Sequence, residues 1–153
     1  MDKTTFLQRI TRSRAALDAA LVRLTPAQCL LPGASGEMSV KDMLAHLTWH
    51  ERQMIGLIEH MALVGSPWWD LPTDERNAHI YAENRERTWE DVFAEAEQVY
   101  PRLLTALEGL PEAAFLDAAL YRQMPPDWAP WQVFADNTFD HYDHHLADLM
   151  KSG

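Results

Sequence analysis

Two pairs of histidines stand four residues apart in this chain, His46 with His50 in "MLAHLTWHE" and His141 with His145 in "NTFDHYDHHLAD". On an α-helix that spacing puts both imidazoles on one face, so each pair can aim its ring nitrogens at a single point. Scattering 7 histidines at random over this length gives about 0.3 such pairs, so two pairs are an excess. Neutral imidazole is a good ligand for zinc, nickel, iron or copper. Two ligands from one helix and one from another leave positions open for water and substrate, the arrangement of a catalytic site rather than a structural one. His46 lies among apolar residues that must face a core, which favours His46, His141 and His145 as the ligands. His50 has three open roles: a fourth ligand, a hydrogen-bond partner behind the ligands, or a pocket wall. His60, His79 and His144 read as ordinary solvated or core-satisfied histidines.

The elements that must position these rings are helical throughout. Apolar residues Phe6, Ile10, Leu17, Leu21 and Leu24 recur at helical spacing over residues 4–24. "TPAQ" at 25–28 carries the start signal of one short turn. Ser39 opens a second long helix that should stop near Gly65, with Asp42 placed to answer its free amides. Residues from Thr73 read as a shorter helix with Asn77, Ile80, Tyr81 and Asn84 along one side. Thr88 caps a helix that runs to Gly109, in which Pro101 should kink or divide the chain. The segment 110–130, with four prolines, reads as mostly irregular, and "WQVFADNTFDHYDHHLADLM" forms one last helix with Asn137 a turn before His141. No alternating strand pattern, fixed repeat or low-complexity tract occurs. Four long helices and one short one imply a bundle.

At 153 residues the chain has the size of a single domain spanning 1–153. Cys29 is the only cysteine, which excludes an intrachain disulfide and a thiolate-rich zinc site. The first residues lack a signal-peptide pattern, and "MALVGSPWW" is far short of a membrane span. The expectation is a soluble, cytoplasmic protein with no membrane partner. A net charge of −10 opposes the phosphate backbone, and on that ground no nucleic acid is expected as a partner.

"SVKDMLAHLTWHE", "NAHIYAENRERTWEDV" and "NTFDHYDHH" together resemble the DinB-like four-helix bundles, and within them the ClbS/DfsB subfamily. The resemblance spans nearly the whole chain. It implies an all-α, up-down-down-up bundle with an extra short helix between helices two and three and a pocket at one end. It also implies a divalent metal, zinc or nickel, held by His46, His141 and His145. Subfamily members usually carry tryptophan where this chain has His50, with Trp49 one place earlier. Activities in the wider group are thiol-dependent transfer and isomerisation, and in the subfamily self-resistance by hydrolysis of an electrophile.

Three functions follow as expectations. The first is a metal-dependent hydrolase or transferase acting on a small electrophile, with Glu51 and Asp140 as the carboxylates that orient an imidazole or move a proton. The second is metal-free hydrolysis or sequestration of a reactive small molecule. There Asn77, Tyr81, Asn137, Tyr142 and the histidines hold substrate and water, and Trp49, Trp68 and Trp69 pack a flat apolar ligand. The third is a non-enzymatic binding protein with a vestigial site. A homodimer is compatible with all three.

Overall fold

The computed structural model describes residues 1–34, 37–63 and 66–152. Its helices are α1 (Lys3–Leu21), α2 (Pro26–Cys29), α3 (Val40–His60), α4 (Thr73–Asn84), α5 (Trp89–Glu108), α6 (Ala113–Leu116), α7 (Pro130–Asn137) and α8 (Phe139–Ser152), with short 3-10 turns at Pro67–Asp70 and Ala118–Leu120. They form the expected all-α up-down-down-up bundle, with α4 as the extra helix. No helix among the described residues is long and apolar enough to cross a membrane.

The long helices begin where the sequence supplies a cap. The side chains of Asp2, Ser39 and Thr88 accept from the amides of Thr5, Asp42 and Asp91 at 2.7, 3.0 and 3.1 Å. These amides have no partner within their helix, and each such cap is worth about 1 kcal/mol. Thr25 and Gln28 form the reciprocal capping box that opens α2.

One hydrophobic cluster draws on every long helix. Phe6 of α1 lies at its centre, with ring centroids 5.4 Å from Phe115, 6.1 Å from Phe134 and 5.2 Å from Phe139. α3 is the hub: it packs along α5 and also meets α4, α7 and α8, while α1 packs along α8. α4 is fastened to α3 by the ammonium of the buried Lys41, which donates to the carbonyls of Arg85 and Arg87 at 2.9 and 2.8 Å. That cation answers carbonyls left free where α4 ends.

Four boundaries differ from the sequence expectations. α3 stops at His60 rather than near Gly65, which lies outside the described residues. Met61 turns the chain in the left-handed conformation (φ 46°), and Met61 and Leu63 then pair with Arg122 through two 2.9 Å backbone hydrogen bonds. Pro101 does not divide α5: Pro101 and Glu97, whose carbonyl loses its donor, both lie on the exposed side, and Val99 and Leu103 keep the helix docked on both sides of the proline. The segment before α7 is less irregular than expected, since α6 and a 3-10 turn occupy part of it. The last helix is two helices, broken at Thr138, whose hydroxyl donates back to the carbonyl of Phe134 at 2.7 Å.

Candidate metal and substrate site

α3 and α8 each present one histidine pair to a shared cleft of 870 Å³, whose other wall is α4 with Arg76, Asn77 and Tyr81. The helical repeat of four residues accounts for both pairs, and the packing of α8 against α3 brings them together. The His46 ring lies 4.8 Å from His50, 4.7 Å from His141 and 5.2 Å from His145, centroid to centroid. His50 and His141 are 4.6 Å apart, and His141 and His145 are 4.8 Å apart. His46, His50 and His145 are only 5–6% exposed. Burial, reinforced by the neighbouring imidazoles, keeps the rings neutral. His46 is pushed down to about 2, His50 and His145 to about 4, and His141 well below the usual histidine range.

The tautomer of His50 is fixed by the residue behind it. Asn137 Nδ2 donates to the carbonyl of Val133 at 2.8 Å, which turns its Oδ1 toward His50 Nδ1, also at 2.8 Å. An amide oxygen only accepts, so His50 Nδ1 carries the proton and its Nε2 keeps a free lone pair. A hydrogen bond of this kind behind the ring is what orients a metal-binding histidine. His46 Nε2 and His141 Nε2 approach to 2.9 Å. Ligand atoms of His46, His50 and His141 all lie within 4.8 Å of one another, and three imidazoles with no thiolate suit zinc or nickel. Among the described residues the buried Nδ1 atoms of His141 and His145 have no hydrogen-bond partner, so these rings are not satisfied core histidines.

The grouping differs in one member from the expected His46, His141 and His145. His50 falls inside the set of mutually close ligand atoms, while His145 stands beside it, lining the cleft. Asn77, Tyr81 and Asn137 line the same cleft, and the buried Oδ1 of Asn77 has no hydrogen-bond partner among the described residues.

Six expected site residues, Glu51, Tyr142, Asp140, Trp49, Trp68 and Trp69, lie outside the cleft lining, Trp68 stacked on His79 at 5.0 Å. Neighbouring helical residues point about 100° apart, so Glu51 and Tyr142 turn away from the faces that carry His50 and His141. Both are fully buried against α1. Glu51 Oε2 accepts from Arg14 Nη1 at 2.6 Å and from the Tyr142 hydroxyl at 2.5 Å, and neither residue lines the cleft. Asp140 is exposed and also outside the cleft; slight burial, and then Asp136, raise its carboxyl above the usual range. Trp49 is buried behind the site, edge-on to His50 at 4.8 Å and stacked on Trp69 at 6.0 Å. Arg76 is a cleft residue that the sequence did not single out; it donates to the carbonyl of Trp69 at 3.2 Å. Its only sequence signal is its place one residue before Asn77.

The sequence profile of the DinB superfamily matches residues 9–149, and the chain belongs to that superfamily. No curated protein sequence matches it. Among solved structures it is similar to ClbS, the colibactin self-resistance protein, in complex with double-stranded DNA. That match has a TM-score of 0.80 and 15% identity, over 98% of this chain and 94% of that one. An uncharacterised protein from Escherichia coli UTI89 is similar with a TM-score of 0.80 and 18% identity, over 98% of this chain and 91% of that one. At these identities the likeness is one of fold. It nevertheless corrects the exclusion of nucleic acid. A protein of this fold was crystallised with duplex DNA, and net charge sums over a whole chain whereas a polyanion meets only a local surface.

Proposed function

We propose that the chain is a metal-dependent hydrolase or transferase of the DinB superfamily that acts on a small electrophile in the histidine cleft. His46, His50 and His141 hold a divalent ion, zinc or nickel, and His145 completes the wall beside them. The observation that carries this reading is the convergence of neutral imidazoles at one point, with His46 Nε2 and His141 Nε2 2.9 Å apart and the free lone pair of His50 set by Asn137. A divalent ion there supplies Lewis acidity and makes water a competent nucleophile near neutral pH. The protein's own groups do the rest. Asn137 holds the His50 ring and its proton, and Asn77 Oδ1 offers an acceptor to a substrate N–H or O–H. Tyr81, 52% exposed on α4, stands at the mouth of the cleft. With Glu51 and Asp140 outside the cleft, the groups lining it that can exchange a proton with substrate include His144, His145 and the carboxylates Asp42, Asp74, Asp136 and Asp148.

A second reading uses the same contact without metal: two neutral imidazoles at 2.9 Å are also a hydrogen-bonded pair that can hold a water. The fold shared with a colibactin self-resistance protein favours a reactive small molecule as substrate in either case. Element analysis of untagged protein, followed by hydrolysis assays on a panel of epoxides and activated cyclopropanes, separates the two. The first reading expects about one zinc or nickel per chain and its loss in His141→Ala. Full activity in metal-free protein would establish the second, and no activity on any electrophile in either form would remove both. Duplex DNA belongs in the same panel, because the ClbS structure contains it.

A further inference from the structure

A second cavity, of 640 Å³, lies between α1, α3 and α5 and shares no lining residue with the histidine cleft. Its floor is Arg14, a cation on the apolar stripe of α1 that is 4% exposed. That charge is already answered. Nη1 donates to Glu51 at 2.6 Å and Nε to Asp18 at 3.0 Å, and the guanidinium carbon sits 4.4 Å from the centre of the Tyr100 ring. Arg14 and Glu51 cancel, so the cavity's surplus charge is that of Asp18 and Glu97. The Asp18 side chain is 56% exposed. Glu97 is exposed and makes no ion pair among the described residues.

The α5 wall of the cavity carries an aromatic stripe, and the rest of the apolar lining is aliphatic. Trp89 and Phe93 lie 5.4 Å apart, ring centre to ring centre, and Tyr100 stands beside them on α5. Aromatic faces are negative and attract cations, most strongly where water is partly excluded. A neutral apolar guest would use the walls but strip water from two carboxylates without compensation. An anion would meet repulsion at both. We propose that this cavity binds a small organic cation with an aromatic or apolar body, its ammonium held by Asp18 and Glu97 and its body against the aromatic stripe of α5. The site is independent of the histidine centre and does not rest on the chemistry assigned there.

Two probes with one bicyclic body and opposite charge test this: 1-naphthylmethylammonium and 1-naphthylacetate, titrated into the full chain by calorimetry. The cation binds once per chain and at least about tenfold more tightly than the anion. Asp18→Asn with Glu97→Gln brings its affinity to the level of the anion, and Glu97→Gln alone, at an exposed position, removes part of it. Asp74→Asn with Asp136→Asn, at the histidine cleft, leaves it unchanged. Equal affinity for the two probes overturns the proposal, as do no binding at millimolar probe, indifference to Glu97→Gln and the double variant, and loss through the cleft variant.

Discussion

The hydroxyl of Tyr142 donates to Glu51 Oε2 at 2.5 Å, tying α8 to α3 one residue away from His141 on one helix and His50 on the other. Arg14 donates to the same oxygen, so three charged or polar groups from α1, α3 and α8 meet in the core with almost no solvent contact. Burial raises the Glu51 carboxyl, and Arg14 opposes that shift. Burial works against the charge on Arg14 too, but Glu51 holds it above the usual range.

Breaking this cluster one group at a time is costly, because each partner removed leaves a buried charge behind. Glu51→Ala should destabilise the fold by about 3–5 kcal/mol. Tyr142→Phe, which removes one hydrogen bond to a charged group, should cost about 1.5–3 kcal/mol. Urea unfolding measures both. A loss below about 1 kcal/mol for Glu51→Ala would show that water reaches the pair and that it does not hold the helices.

Asn137 is expected to act on metal affinity through the His50 ring. Asn137→Ala frees His50 to take either tautomer and should weaken zinc binding about 10–100-fold, with far less effect on the unfolding midpoint of the metal-free protein. Asn137→Asp keeps an acceptor facing Nδ1 and should retain most of the affinity. Competition titration with a chromogenic chelator reads both variants. Equal affinity in wild type and Asn137→Ala would mean that His50 is not a ligand.

The buried histidines make a sign-definite pH prediction. Their folded values lie below the 6.5 of an unfolded histidine, so as the pH falls the unfolded chain takes up protons first. Metal-free stability contributed by these groups is fully present above about 6.5 and is lost as the pH falls toward about 4, the value for His50 and His145. Urea midpoints measured in chelator across that window should fall, and His50→Gln with His145→Gln should fall less steeply. A midpoint independent of pH over the window would place the rings in contact with solvent.

Much of this was legible in the sequence because helices write their faces at fixed intervals. The caps at Ser39 and Thr88, the paired histidines, and Asn77 with Tyr81 along α4 followed from periodicity and capping chemistry alone. Periodicity says less about neighbours in sequence. Glu51 and Tyr142 flank two site histidines, and only the 100° step between consecutive helical residues takes them to a different face. One available signal was Arg14: a cation between Ile10 and Leu17 on an apolar stripe requires a buried acid, and Glu51 is the acid on α3 that meets it. The break at Thr138 and the end of α3 at Met61 depend on tertiary contacts, the latter on pairing with Arg122, which no local pattern encodes. Net charge carries no spatial information, so it could not exclude a nucleic-acid partner.

X-ray absorption on zinc-loaded untagged protein shows whether imidazoles from α3 and α8 form one metal centre. The expected spectrum is that of one ion per chain bound by three imidazole nitrogens, reduced by one imidazole in His50→Ala. A chain that takes up no zinc, or a first shell made of carboxylate oxygens and unchanged in His50→Ala, would contradict it.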